Sequence, residues 1–384
     1  MHAHRRLSRL LALAVAIAAL LVALPSASAA PLNLKVGAAL SLTGDAAAYG
    51  ISSRRGIDLA VREINAGAIP GIRMSVRTID DESTVPGAAT AYGVFFRDGV
   101  AAIMGPTLSS VALDVDPFAQ AVRLPVLGIS NSQPGVTEVG SFIYRPALTE
   151  QFVLPRVVRA VATSSIKPAT SVVIQGSDSF SATSAPILSQ ALTNNGVTVK
   201  ATETVAAGAT NDDYATIANA VVAQDPDVVA IAALATEGVP LLKALRTAGY
   251  TRRIIGSNGL NSSVVTKGAG RAATGLIVGT AWAIWNTTTA NKRFVKAFRR
   301  LYKTSPDQFS ATAYAYTYVL ATAAVRGNAS TAEGVATALG KLTDPKGVPT
   351  LLGRFRFDDQ RNGRSPVLVQ QYRNGRGWRP FSGS

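Results

Sequence analysis

Downstream of residue 30, the apolar positions of this 384-residue chain fall into two alternating patterns. Short runs rich in Val, Ile and Ala predict strands over 34–39, 73–79, 101–104, 126–129, 171–175, 198–204, 228–232, 254–257 and 275–279. Helix-length stretches separate most of them: 49–66, 86–97, 111–121, 150–164, 184–194, 214–224, 239–248, 290–302, 310–326 and 332–340. In the first of these, Ile57, Val61 and Ile64 recur at helical spacing while Arg54, Arg55, Asp58 and Arg62 take the other side, as in a helix that covers a sheet face. Strands alternating with helices predict an α/β fold with parallel sheets. The end of the chain differs. Residues 354–357 and 367–372 read as strands, with a turn at Asn374-Gly375, and are expected to join a sheet edge.

Upstream of residue 30 the pattern changes. Arg5, Arg6 and Arg9 precede an unbroken apolar run over 10–24, and small residues fill 25–30. This is the layout of a secretory signal peptide, and the run is shorter than the about 20 apolar residues that span a bilayer. Ala27-Ser28-Ala29 places small residues at both cleavage positions, so residues 1–29 are expected to be removed and the mature chain to begin at Ala30, in the periplasm.

Losing that leader limits the chemistry that remains. Both histidines, His2 and His4, lie inside it, and the chain has no cysteine. Thiol nucleophiles, thiolate metal sites, disulfides, a lipid-bearing cysteine and Ser-His-Asp catalysis are thereby excluded. Removing three arginines lowers the net charge from +15 to +12. So basic a chain raises the question of nucleic acid. Its cations are nevertheless spread along the whole length, with a modest arginine enrichment only over 354–379, and an export signal precedes them. We read the charge as a solvated surface and expect no nucleic-acid partner. A chain that is 47% hydrophobic and only 16% charged at this length can bury a large core in two domains.

Two motifs reduce to ordinary structure. Residues 268–273, GAGRAA, match a dinucleotide fingerprint in letters, but they follow a helical stretch and precede a strand, the reverse of what that motif needs, so they are read as a loop. Asp80, Asp81 and Glu82 follow a strand without a histidine or a second acidic group at defined spacing, and are expected to tie down a loop. No cofactor or metal is expected. Two other segments carry more. Residues 105–110, GPTLSS, and Ser130-Asn131-Ser132 each place hydroxyls where a strand gives way to a helix. In an open parallel sheet, ligands bind beyond the carboxyl ends of the strands. There the free N–H groups of the next helix and short hydroxyls can hold an anion. Any one serine could simply cap its helix. Two such loops on consecutive strands favour a carboxylate site.

The segments VGAALSLTGDAAAYG at 36–50, GIDLAVREINA at 56–66, DDESTVPGAA at 80–89, DGVAAIMGP at 98–106 and LPVLGISNSQP at 124–134 have a family likeness. So do GATNDDYATIANAV at 208–221, LKALRTAGY at 242–250 and FDDQRNGRSPVLVQQYRNG at 357–375. In this order and spacing they resemble the type I periplasmic binding proteins of the branched-chain amino acid (Leu/Ile/Val) group. The resemblance implies two Rossmann-like lobes, each a parallel sheet flanked by helices, joined by three hinge crossovers near 144–146, 278–280 and 353–355. The N-terminal lobe would be 30–146 plus 280–353, and the C-terminal lobe 147–279 plus 354–384. It also implies a monomeric solute-binding receptor of an ABC importer, not an enzyme, whose partner is a permease in the inner membrane.

Carried over position by position, the resemblance assigns the ligand's carboxylate to Ser109 and the loop Ser130, Asn131 and Ser132. The Ser130 carbonyl and the Ser132 hydroxyl would accept from an ammonium. Tyr49, Leu108 and Phe309 would line the side-chain pocket, and Phe180, Leu234 and Asn258 would come from the second lobe. Three of these depart from the group, which carries a tyrosine at 180, often an aromatic or polar anchor at 234, and at 258 an acid that pairs with the α-ammonium. An ammonium buried without a counter-charge costs several kcal/mol. The expected ligand is therefore a carboxylate lacking the amine, an aromatic or 2-oxo acid, unless Glu237 turns inward to rescue ammonium binding. A branched-chain or hydrophobic amino acid is the alternative ligand. A sensor of the same fold feeding a signalling receptor is the alternative role, and a secreted hydrolase using carboxylates alone is a third.

Overall fold

The computed structural model describes residues 30–383, so the expected leader lies outside the described residues. The first sheet comprises β1 (Leu32–Leu40), β2 (Ile72–Asp80), β3 (Ala102–Met104), β4 (Val126–Leu127) and β5 (Ile143–Tyr144). Its order is β2-β1-β3-β4-β5, and every neighbouring pair is parallel. Helices α1 (Ala47–Glu63), α2 (Val85–Arg97) and α3 (Ser109–Ala121) make the first connections. Because the chain runs outward from β1 to β2 and then returns to β3 on the other side, the loops after β1 and β3 part and open a crevice beyond the strand ends.

Between Tyr144 and Glu150 the chain leaves this sheet. It then runs through α4 (Glu150–Ala162), β6 (Thr170–Gln175), α5 (Ser179–Asn194), β7 (Thr198–Thr204) and α6 (Asn211–Ala223). There follow β8 (Val228–Ala232), α7 (Ala235–Thr247), β9 (Arg253–Gly256), α8 (Ser263–Ala269) and β10 (Leu276–Thr280). Strands β6 to β10 are mutually parallel. Every position of β8 is buried, as expected for a strand covered by helices on both faces.

Past Thr280 the chain returns, and Trp282 already belongs to the first lobe's apolar core. Helices α9 (Thr289–Tyr302), α10 (Gln308–Gly327) and α11 (Ala332–Gly340) follow. Helix α10 is buried along most of its length and presses on α1 at Gly56, where a Cβ would stand 2.0 Å from the Ser310 carbonyl oxygen.

One expectation is corrected here. Residues 354–357 do form a strand, but β12 (Gly353–Phe357) pairs with β11 (Val348–Thr350) and β13 (Gly363–Arg364) in a small antiparallel sheet on the first lobe. Phe355 and Phe357 point into that lobe's core, with the Phe357 ring 5.2 Å from Tyr144 and the Phe355 ring 5.7 Å from Tyr316. The alternation of Phe355 and Phe357 identifies a strand, but it does not say which of two cores receives the rings. The third crossing therefore falls between Arg364 and Leu368 instead of at 353–355, and residues 354–364 belong to the first lobe. After it, β14 (Leu368–Arg373) and β15 (Gly377–Pro380) form an antiparallel hairpin on the β10 edge, giving the order β15-β14-β10-β9-β8-β6-β7.

Candidate functional site

Helix caps single out one region. Eight of the eleven described α-helices begin with a side chain that accepts from a first-turn N–H: Thr84, Thr149, Asp178, Thr210, Ser262, Thr288, Asp307 and Thr331. The three exceptions are α1, α3 and α7, preceded by Ala46, Leu108 and Leu234. Uncapped first-turn donors need another partner. All three helices reach one cavity between the lobes.

That cavity is lined by Tyr49, Thr107, Leu108, Ser109, Ser130, Ser132 and Phe309 from the first lobe and by Phe180, Leu234, Asn258 and Gly259 from the second. Its residual volume is about 30 Å³, room for about two water molecules, so the lobes are drawn together on it. Nine of the ten expected site residues share this wall. Asn131 does not, and this is a correction: it is fully buried, and its Nδ2 donates to the carbonyls of Pro106 (3.0 Å) and Thr107 (3.3 Å), which fixes the loop after β3.

The serines divide the work. Ser109 stands in the first turn of α3 and caps nothing; its Oγ accepts from the N–H groups of Ser132 (3.0 Å) and Gln133 (3.3 Å), leaving its own proton free. Ser130 donates to the Thr107 carbonyl at 2.7 Å. Two of the three acids at 80–82 tie the same loops. Asp81 accepts from Ser41 Oγ (2.6 Å), Ser83 N–H (2.9 Å) and Thr107 N–H (3.2 Å), while Asp80 takes the N–H groups of Leu42 and Thr43. Among the described residues, no cluster of acids or histidines is able to hold a metal.

From the first lobe, Tyr49 reaches across. Its hydroxyl donates to the Gly259 carbonyl (3.0 Å) and accepts from the Ala235 N–H (2.6 Å), so it supplies the cap that α7 lacks. Its ring and that of Phe309, centroids 4.7 Å apart, pack within the second lobe's core. Burial raises the phenol pKa and keeps it protonated. Gly259 has no room for a side chain, since a Cβ would lie 2.3 Å from the Ala233 carbonyl oxygen.

Asn258 donates its N–H to Glu150 Oε1 (2.8 Å), and its Oδ1 accepts from Gln308 Nε2. Sequence reasoning passed over Glu150, whose place in the first turn of α4 beside the Thr149 cap reads as ordinary capping. It is fully buried, its second oxygen has no partner among the described residues, and burial pushes its carboxyl up to about 7 against the Asn258 N–H, which lowers it. It borders a small chamber that shares Ser130, Asn258 and Phe309 with the main cavity. Glu237 is placed elsewhere. Its carboxylate accepts from the Ser177 hydroxyl (2.6 Å) and N–H (3.1 Å), holding the loop after β6, and it is absent from the cavity wall. Thr107 and Gly259 also escaped the sequence reading. The wall thus offers donors (the Ser109 and Ser132 hydroxyls, the Asn258 amide and the start of α3) amid apolar side chains, with no ionised group on it.

Two sheets joined by three crossings, with hydroxyl loops and open helix termini facing a closed cleft, define a substrate-binding protein of the ABC transporter type. The chain belongs to the periplasmic binding protein family, whose sequence profile matches residues 33–376, and within it to the type I proteins of the branched-chain amino acid group. It is 25% identical over 345 residues to the Leu/Ile/Val-binding protein BraC3 of Rhizobium johnstonii, covering 89% of this chain and 92% of that protein. Among solved structures, it is similar to the branched-chain amino acid transporter substrate-binding protein of Streptococcus pneumoniae in complex with isoleucine. There the TM-score is 0.81 at 21% identity, over 91% of this chain and 99% of the other. It is similar as well to an ABC transporter solute-binding protein of R. palustris in complex with benzoate, with a TM-score of 0.79 at 19% identity, over 91% and 95% of the two chains.

Proposed function

We propose that this protein is the extracytoplasmic receptor of an ABC importer and that its ligand is a small carboxylate without an amine, an aromatic or 2-oxo acid. The observation that carries this reading is the uncapped start of α3, where the free Ser109 proton stands beside Ser132 and no ionised side chain lines the wall. A carboxylate accepts all of these donors, and each charge-assisted hydrogen bond is among the strong ones, about 1.5–3 kcal/mol. Leu108, Phe180, Leu234 and Phe309 give the remainder of the ligand an apolar seat. Closure buries the ligand between the two lobes, and the joined outer surface is what a permease in the inner membrane would read. The protein acts as a monomer in this scheme.

A second ligand reading, a branched-chain or hydrophobic amino acid, is favoured by the free oxygen of Glu150 behind Asn258, which is an acceptor for an ammonium. Among the relatives, the Rhizobium johnstonii protein is named for Leu, Ile and Val, whereas the R. palustris protein was solved with benzoate. A thermal-shift screen of the mature protein against matched pairs, such as leucine and 2-oxoisocaproate or phenylalanine and phenylpyruvate, with benzoate alongside, separates them, because a ligand that binds only the folded form raises the melting temperature. Stabilisation by the amine-free acids alone supports the reading; stabilisation by the amino acids alone overturns the ligand class.

A further inference from the structure

A second concavity opens between the lobes and shares no wall residue with the cavity just described. At about 440 Å³ it has the size of small-molecule sites, about 300–1,000 Å³. Its composition is unlike the remainder of the surface. All three tryptophans of the chain lie on it: Trp282 and Trp285 just after the second crossing, and Trp378 on the β14–β15 hairpin. The indole N–H of Trp285 is buried and has no partner among the described residues. Around the aromatic floor stand Lys267, Arg299, Arg376 and Arg379, all exposed and none in an ion pair among the described residues.

These cations make only neutral contacts. Lys267 meets Thr304 Oγ1 at 3.4 Å, Arg299 meets Ser305 Oγ at 3.0 Å, and Arg379 meets the Trp378 carbonyl at 3.5 Å. The one acid on the wall, Asp307, accepts from Ser52 Oγ (2.5 Å) and from the N–H groups of Ser263 (3.2 Å) and Ser310 (3.1 Å), and one acid against four cations leaves the wall with a formal excess of positive charge. A net positive wall beside tryptophan side chains attracts negative charge, and indole rings pack favourably against a flat ring.

We propose that this groove is a second ligand site that takes a planar aromatic ring bearing an acidic substituent. Its walls come from both lobes, with Trp282, Trp285 and Arg299 on one side and Lys267, Arg376 and Trp378 on the other. An occupant therefore favours the closed arrangement and tightens binding in the cleft, and a cleft ligand tightens the groove by the same factor. That coupling rests on the cleft reading above; the existence of the site does not.

The tryptophans themselves report on the site, because none of them lines the cleft cavity. Naphthalene-2-sulfonate is titrated into the mature protein while tryptophan emission is followed, with neutral naphthalene-2-carboxamide as the uncharged counterpart. Saturable quenching by the sulfonate is expected, weakened roughly tenfold by the double substitution R376A/R379A and roughly tenfold for the carboxamide. It should survive Ser109→Ala, which damages only the cleft. Absence of saturable quenching at millimolar sulfonate, or quenching indifferent to the arginines or to the charge, overturns the proposal. Quenching that is lost in Ser109→Ala and kept in R376A/R379A places the probe in the cleft and overturns it too, while leaving the cleft reading intact.

Discussion

Helix α3 in the first lobe and helix α7 in the second both start at a leucine on the cleft, and neither has a capping side chain. They differ in what satisfies them. At α7 the first N–H, that of Ala235, is taken by Tyr49 from the opposite lobe. At α3 the Ser109 hydroxyl organises the neighbouring loop by accepting from Ser132 and Gln133, and among the described residues no side chain of the other lobe takes a first-turn N–H. The same local device is bridged across the lobes on one wall and, in the proposed function, meets the ligand on the other. The apolar residues follow the division, since Phe180 and Leu234 give the second lobe a wall with almost no polar handle beyond Asn258.

The largest effect should come from Ser109→Ala, which removes a ligand donor together with the acceptor for two loop N–H groups; calorimetry should show roughly a hundredfold loss of affinity. Unchanged affinity would mean that recognition does not reside on the first wall. Asn258→Asp tests the second wall by adding the missing counter-charge. The affinity ratio of an amino acid to its matching 2-oxo acid should rise roughly thirtyfold.

Glu150 sharpens the comparison through pH. Its carboxyl, at about 7 in the folded chain against an ordinary 4.5, stays protonated while the unfolded chain is ionised. Stability should therefore fall as pH rises from about 4.5 to 7 and level off above, and Glu150→Gln should remove that part of the slope. Asp116, held at about 8 by burial, keeps its own slope, so the difference between the two proteins is the readout. A carboxylate ligand beside Glu150 favours its protonated form, so affinity should drop about tenfold between pH 6 and pH 8 in the native protein and stay flat in the variant. An ammonium ligand would reverse that sign. Tyr49→Phe should do least, about a fivefold loss of affinity with a larger radius of gyration for the liganded protein by X-ray scattering, because only the latch between the walls is lost. An unchanged radius would mean that the latch does not hold the lobes closed.

Much of this was legible in the chain. The β-branched runs announced most of the parallel strands, and the hydroxyl clusters at 105–110 and 130–132 stood where strands end, so the first wall could be named almost residue by residue. Asn131 was the exception, because a polar side chain in a binding loop points equally well at the ligand or at the backbone that shapes the loop. The latch left a fainter trace: a leucine before a helix, where serine or threonine is usual, marks a missing cap but does not say what replaces it. Glu150 left no trace, since nothing local distinguishes a capping glutamate from a buried one whose first oxygen accepts from Asn258, more than a hundred positions away.

Local periodicity and turn chemistry are short-range, and they sufficed to determine the alternation of strands and helices and to place clustered hydroxyls where two strands end. Which core received Phe355 and Phe357, which carboxylate came to lie behind the cleft, and which tryptophans and arginines met in one groove are questions of long-range packing. Those contacts form only when segments far apart in the chain share one interior, and only the tertiary structure decided them.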